Sequence, residues 1–274
     1  MITLSSKDIK ELCSSFSVDE HEAFVLLQHV LGTPYSSLVL SKEIKISKEQ
    51  LFAFKSKLKM RFDHVPVAKI VGHKAFYNHD FITNEYTLDP RPETELIVDL
   101  VVKYFPNKTD TLSILDLGCG TGCIGLSILD LYPNAKLLLA DISTDALTVA
   151  QKNAIRLKID KRCNCVKSDW FSNINAKFNI IVCNPPYVAE NYNLDFDTSH
   201  DPKIALFGGK DGLDAYRNIL PEVHKFLVPN GLLFLEIGIN QCDNICAIES
   251  RLKVVEIAKD LQGIERTIVF KVKN

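Results

Sequence analysis

A nitrogen that is to attack a carbon electrophile must first have its lone pair made available. Asn184-Pro185-Pro186-Tyr187 carries the groups for that task. The Asn184 carboxamide oxygen can accept one N–H of a planar NH2 group, and the Pro185 carbonyl can accept the other. Accepting both raises the electron density on the nitrogen and aims it at a methyl carbon. Pro186 has no N–H to donate, and the two prolines stiffen the loop. Tyr187 offers a flat face over the target group. No strong base is needed, because the nitrogen becomes acidic once it is cationic. The plainer reading, a rigid turn with an Asn cap, leaves a second motif nearby unexplained.

That second motif is Asp116-Leu-Gly-Cys-Gly-Thr-Gly122, followed by Gly125. Glycines here let the backbone turn sharply and approach a ligand. The helix behind the loop points free amides and its positive end at that ligand. Gly120-Thr-Gly-Cys-Ile-Gly125 also satisfies the dinucleotide G-x-G-x-x-G pattern, so NAD stands as a rival. Three features favour S-adenosylmethionine. The glycine run begins one step early and follows Asp116, which looks like the methyltransferase version of the loop. The next strand ends in Asp141, an acid able to accept ribose hydroxyls from either cofactor. Ser168-Asp-Trp170 closes the strand after that. Trp170, the only tryptophan, reads equally as a wall for adenine and as a core aromatic.

The elements that must hold these motifs follow from periodicity. Residues 1–65 read as a small all-helical domain. Ser5 or Ser6 caps a first helix and Asp19 a second, which Gly32-Thr-Pro34 stops. A third starts at Ser47 with Gln50 completing a capping box. Residues 66–92 read as short strands, including Val67–Val71 and Tyr86–Leu88, in a β-hairpin linker. Residues 93–274 alternate helix and strand. This predicts an α/β fold, a doubly wound Rossmann-like sheet with helices on both faces. Ligands then bind at the carboxyl ends of the strands where their order reverses. Phe178–Cys183 shows no polar alternation, which predicts a central strand covered on both faces.

Composition bounds the partners. The chain has 274 residues, 46% hydrophobic and 24% charged, as an ordinary globular protein does. A net charge of −2 argues against stable nucleic-acid binding. The eight cysteines show no C-x-x-C pair, so no metal site is expected and they read as small buried hydrophobes in a reducing compartment. No apolar run approaches the roughly 20 residues that span a bilayer. The opening residues carry neither an apolar stretch nor an arginine-rich pattern, which predicts a cytoplasmic protein without a membrane partner.

Over nearly its whole length the chain resembles the release factor glutamine methyltransferases. The resemblance rests on the order of a helical domain, a hairpin, Pro90-Arg-Pro-Glu-Thr-Glu95, the glycine loop and Asn184-Pro-Pro-Tyr187. Ala205-Leu-Phe-Gly-Gly-Lys-Asp-Gly-Leu213, Leu235-Glu-Ile-Gly-Ile-Asn-Gln241 and Asp260-Leu-Gln-Gly-Ile-Glu-Arg266 extend it. It implies methyl transfer from S-adenosylmethionine, with S-adenosylhomocysteine as product. The acceptor it implies is the N5 nitrogen of glutamine in the Gly-Gly-Gln motif of bacterial peptide chain release factors. Gly118, Cys119, Gly120, Thr121, Gly122, Asp141, Trp170 and Asn184 carry over as cofactor contacts, and Asn184, Pro185, Pro186 and Tyr187 as the glutamine site. Asp89 departs from the family's usual aliphatic residue, and Cys119 from threonine or serine. Glu93 and Glu95 read as structural acids in a first helical turn. Asn-Pro-Pro-Tyr also occurs in adenine N6 methyltransferases acting on DNA or RNA, which is the alternative function. A regulator that only binds cofactor sits poorly with an intact Asn184–Tyr187. An NAD oxidoreductase lacks a His or Lys in a hydride-site motif.

Overall fold

The computed structural model describes residues 1–194 and 196–273. It divides into two units: Met1–His73 with Leu194–His200, and Lys74–Asn193 with Asp201–Asn274.

In the first unit the order is β1 (Ile2–Ser5), α1 (Ser6–Phe16), α2 (Glu20–Leu31), α3 (Tyr35–Leu40), β2 (Glu43–Ile46), α4 (Lys48–Phe62) and α5 (Val67–Val71). The helix boundaries follow the caps. Ser5 and Asp8 form a reciprocal capping box before α1, Asp19 accepts from His21 and Glu22 at the start of α2, and Gly32 ends α2 at φ 65°. Ser47 and Gln50 cap α4 in the same reciprocal way. Leu26, Leu27, Phe54, Leu58 and Ile46 form the centre of its core.

Two features differ from the sequence expectation. Residues 1–65 are not all helical, because β1 and β2 pair antiparallel, Ile2 opposite Ile46. The period-2 alternation of Glu43-Ile-Lys-Ile46 is the signal, with Ile44 and Ile46 buried and the charges out. Conversely, Val67–Val71 is a helix and not a strand. Pro66 stands immediately before its first turn, and Gly72 ends it at φ 81°. That punctuation outweighs the β-branched composition.

The second unit continues with β3 (His73–Phe76), β4 (His79–Ile82), a 3₁₀ turn at Pro92–Thr94, α6 (Glu95–Tyr104), β5 (Ser113–Leu117), α7 (Cys123–Leu131), β6 (Lys136–Asp141), α8 (Thr144–Arg156), β7 (Cys163–Lys167), β8 (Phe178–Cys183), α9 (Lys203–Leu206), α10 (Asp214–Val223), β9 (Leu227–Glu236), α11 (Cys242–Cys246), β10 (Leu252–Lys259) and β11 (Glu265–Val272). β3 and β4 pair as the expected hairpin. Tyr86–Leu88 is not a strand: Asn84 Oδ1 accepts the Tyr86 N–H at 3.0 Å, an Asx turn that bends the chain there. The seven-stranded sheet has the order β10-β11-β9-β8-β5-β6-β7. β9, β8, β5, β6 and β7 run parallel, and β11 and β10 close one edge antiparallel.

β5 and β8 lie at the switch point, where the chain leaves β5 toward β6 and later returns on its other side. β8 is covered on both faces. Ile180 and Val182 join the core built with α6 and α7, and Ile181 and Cys183 join the one built with α10. All four are fully buried, and burial of an Ile or Val side chain stabilises by about 1.5–3 kcal/mol. The strand that carries Asn184 is therefore a rigid mount.

Candidate active site

Gly118, Gly120 and Gly122 have φ of 74°, 53° and 77°, a region costly for any residue with a β-carbon. The donors of this loop are mostly committed to the protein itself. The Gly118 and Cys119 N–H groups both reach the Ala140 carbonyl, at 2.8 and 3.0 Å, and Gly122 N–H reaches Cys119 O at 2.7 Å. Gly120 N–H goes to Asp141 Oδ2 at 2.9 Å, and Gly125 N–H to Asp116 Oδ2 at 2.9 Å. Gly125 is glycine for this last contact, because a β-carbon there would lie 2.8 Å from the same oxygen. A pyrophosphate needs free backbone amides. Most of those in this G-x-G-x-x-G string are bonded within the protein, which weighs against the dinucleotide reading.

Asp116 and Asp141 set the electrostatics. Burial pushes the Asp116 carboxyl up to about 7, against the Gly125 N–H that lowers it, and the Asp141 charge raises it further. Its Oδ1 is buried with no hydrogen-bond partner among the described residues. Burial also raises Asp141, while N–H bonds from Ser143, Gly120 and Ile142 pull it back. The N–H groups of Gly120 and Ser143 take one lone pair on each Asp141 oxygen, and a carboxylate has about four acceptor sites.

A cavity of about 340 Å³ opens at the carboxyl ends of the parallel strands, a size that suits a small-molecule cofactor. Leu117, Gly118, Cys119, Gly120, Thr121, Asp141, Trp170, Asn184 and Pro186 line it, whereas Gly122, Pro185 and Tyr187 do not. Trp170 lies over Gly118, its ring 3.8 Å from where a β-carbon would stand, and also packs on the core below. Trp170 is thus at once a cavity-lining and a core-packing aromatic. Gly122 caps α7, and a β-carbon there would press on Leu126 at 3.0 Å. S-adenosylmethionine fits the donor set: an acid at the end of β6 for hydroxyls, apolar walls, and carboxylates compatible with a cation.

Asn184 follows β8. Its Nδ2 donates to Thr94 Oγ1 at 3.2 Å. The Tyr187 hydroxyl turns away from the cavity and donates to Glu236 Oε1 at 3.3 Å. Burial, then the Glu236 charge, raises the Tyr187 hydroxyl well above its ordinary value, so it stays a proton donor. Glu236, at the end of β9, is 1% exposed. Burial pushes its carboxyl up to about 7. The Thr94 and Tyr187 hydroxyls and the Arg266 charge act downward, and the Glu93 charge acts upward.

A further brace holds the backbone. Gln241 Nε2 donates to the Tyr187 carbonyl at 3.0 Å, and its Oε1 accepts the Gly238 N–H at 3.0 Å. Gly208 and Gly212 pack on the same loop. β-Carbons there would lie 2.4 Å from the Pro186 carbonyl and 2.3 Å from the Tyr187 carbonyl. Thr94, Glu236 and Gln241 carry no chemical signature of their own in the sequence, although all three lie in the segments that carry the family resemblance. The nearest to one is a lone acid ending an apolar strand, Gly231-Leu-Leu-Phe-Leu-Glu236.

Comparison with known proteins adds two domain families and several relatives. The PrmC N-terminal domain matches residues 10–72, and the Methyltransferase small domain matches residues 95–200. The release factor glutamine methyltransferase of Agrobacterium fabrum is 35% identical, over 91% of this chain and 89% of its own. The chain belongs to the release factor glutamine methyltransferase family. A bifunctional methyltransferase of Rickettsia typhi is 36% identical over 92% of the chain. The chain spans about half the length of that relative, 53%. A methyltransferase structure from Pyrococcus furiosus is similar in fold, with 18% identity, a TM-score of 0.53, and coverage of 74% of this chain and 91% of its own.

In this chain the segment before α6 is tied inward. Thr83 donates to Asp89 Oδ1 at 2.6 Å, the Asp89 N–H reaches Asp201 Oδ1 at 3.3 Å, and Arg91 pairs with Asp201 at 2.7 Å. The departure at Asp89 is thus a buried, bonded acid on the cavity wall. Glu95 accepts the Tyr77 N–H at 2.7 Å, anchoring the hairpin to α6. Beyond Tyr187 the chain makes a long excursion. Its base is closed by Val188 N–H to Leu206 O and Gly208 N–H to Val188 O, each at 2.9 Å. Of the cysteines, Cys13, Cys119, Cys123, Cys163, Cys183 and Cys242 are buried, and all eight are unpaired thiols. No described helix is long and apolar enough to cross a membrane.

Proposed function

We propose that the protein transfers a methyl group from S-adenosylmethionine to the side-chain amide nitrogen of the glutamine in the Gly-Gly-Gln motif of bacterial class I release factors. The observation that supports this reading best is Asn184. Its side-chain nitrogen is engaged by Thr94, beside a cavity that the glycine loop also lines. The Asn184 oxygen accepts one target N–H and the Pro185 carbonyl the second, which concentrates the lone pair on nitrogen. Pro186 and Tyr187 keep that loop in place. When bound, S-adenosylmethionine supplies an electrophilic methyl group on a sulfonium. Gly118 to Thr121, Asp141 and Trp170 hold it on the glycine-loop side, with Gly122 shaping the turn behind them, and Asn184 borders both ligands.

Adenine methylation is the weaker reading. Arg91 is the single basic side chain among the described lining residues, and it is paired with Asp201. A nucleic-acid backbone would need free cations there.

The experiment is methyl transfer from labelled S-adenosylmethionine. The acceptors are an unmethylated release factor, its Gly-Gly-Gln Gln→Ala variant, and adenine-containing DNA. Label only in the unaltered factor supports the reading, and label only in DNA overturns it. Residues 1–65 are assigned to substrate recruitment. Their removal is expected to impair methylation of the intact factor more than cofactor binding, and equal loss of both would contradict that role.

A further inference from the structure

A carboxamide has two ends of nearly the same shape, one an acceptor and one a pair of donors. Only the acceptor end of Asn184 can hold a target NH2. Turned round, the side chain would present N–H to N–H. Nothing within Asn184–Tyr187 decides between the two orientations, so the decision must come from outside the tetrapeptide.

Thr94 is 2% exposed, and its hydroxyl lies 3.2 Å from Asn184 Nδ2. A hydroxyl that accepts from Nδ2 must direct its own proton elsewhere. The neighbouring acceptor is the Glu236 carboxyl, on which the Thr94 hydroxyl acts. Its Oε2 is buried and makes no hydrogen bond among the described residues, which leaves it open as an acceptor for that proton. A carboxylate only accepts. While Glu236 is ionised, proton direction along the row is therefore set: Asn184 gives to Thr94, and Thr94 gives to Glu236. The Asn184 oxygen is left facing the target. Tyr187 donates to the same carboxyl through Oε1, so one buried acid organises both ends of the tetrapeptide.

We propose that Thr94, backed by Glu236, is a positioning residue that fixes the polarity of the Asn184 carboxamide and makes the site prefer an NH2-bearing side chain over a carboxylate of the same shape. The proposal rests on the function proposed above and names the device by which that site selects glutamine over glutamate.

The test uses the full chain and two release factors, one with Gly-Gly-Gln and one with that Gln changed to Glu. Binding of each is measured in the presence of S-adenosylhomocysteine, and turnover with labelled S-adenosylmethionine. Thr94→Val keeps the shape and removes the hydroxyl, and Thr94→Ser keeps the hydroxyl. Thr94→Val is expected to shrink the Gln-over-Glu binding preference by about tenfold and to lower kcat by a similar factor, the scale of one hydrogen bond. S-adenosylhomocysteine affinity should stay within about twofold, and Thr94→Ser should restore the preference. A merely structural role would weaken both factors alike, and that result overturns the proposal. So does an unchanged preference in Thr94→Val. If that variant does not fold, Glu236→Gln, which puts a donor into an acceptor-only position, must lose the preference in the same direction. No transfer by the wild type to either factor would sink the parent reading, and this one with it. Transfer by the wild type with an indifferent Thr94 sinks this one alone.

Discussion

Replacing Glu236 by glutamine should change how stability depends on pH. Glu236 is buried at the end of β9, with Tyr187, Thr94, Arg266 and Glu93 facing it. Burial raises its carboxyl from 4.5 to about 7. A carboxyl whose folded value is raised binds its proton more tightly in the folded state. It contributes stability that is full below about 4.5 and is lost as pH rises to about 7. At the usual conversion of pKa shift to free energy, Glu236 should take away on the order of 2 kcal/mol between pH 5 and pH 8. Glutamine cannot ionise, so Glu236→Gln removes that loss. Asp116 titrates in the same range, but it is common to both proteins and cancels in their difference. Urea unfolding of wild type and variant, followed by the emission of the single Trp170, reads the unit that contains Glu236. The expected result is a stability difference that moves in the variant's favour by on the order of 2 kcal/mol between pH 5 and pH 8. A difference that stays constant within about 0.5 kcal/mol would refute the burial argument, because any fixed cost of the substitution is independent of pH.

Asn184→Ala should cut kcat by two or more orders of magnitude, the scale of one positioned transition-state hydrogen bond, about 2.7–4 kcal/mol. Single-turnover transfer to the release factor checks it, and near-normal kcat removes Asn184 from its role. Gly125→Ala would bring a β-carbon to 2.8 Å from Asp116 Oδ2 and should cost about 1–3 kcal/mol by urea unfolding. Gly212→Ala, at φ 76° and 2.3 Å from the Tyr187 carbonyl, should break the Gln241 brace. Turnover should then fall more than S-adenosylhomocysteine affinity in calorimetry. Asp19→Ala removes the cap of α2 and should cost about 1 kcal/mol, read by far-UV circular dichroism in urea.

The parallel sheet, its switch point and the glycine loop could be read from the sequence because each depends on local pattern. The unbroken apolar run of Phe178–Cys183 marks a doubly covered strand, and Ser5, Asp19 and Ser47 mark helix starts through bonds within four residues. The errors fell where composition and punctuation disagree, as at Val67–Val71 between Pro66 and Gly72. Asn184 was visible as a chemical group, but the partners of its tetrapeptide were not. Thr94 precedes it by 90 residues and Glu236 follows Tyr187 by 49. Such pairs are joined only by the sheet order, which no local spacing encodes. An aromatic ring at Tyr187 predicts a flat wall, but no local pattern predicts that its hydroxyl reaches a buried carboxyl.

The closed base beyond Tyr187 separates what chemistry needs from what can vary. Val188, Leu206 and Gly208 join the two stems by backbone groups alone, so their register does not depend on which side chains the excursion carries. Doubling the length of such a loop costs only about 0.6 kcal/mol in closure entropy. Apart from Asp201, which holds Asp89 and Arg91, and the cavity-lining Ile204 and Ala205, the excursion is therefore a module: its length and composition can drift through evolution, or be rewritten by an engineer, while Asn184 and its neighbours keep their places. Grafting a foreign segment between its stems is a route to new acceptors on an unchanged methyl-transfer frame.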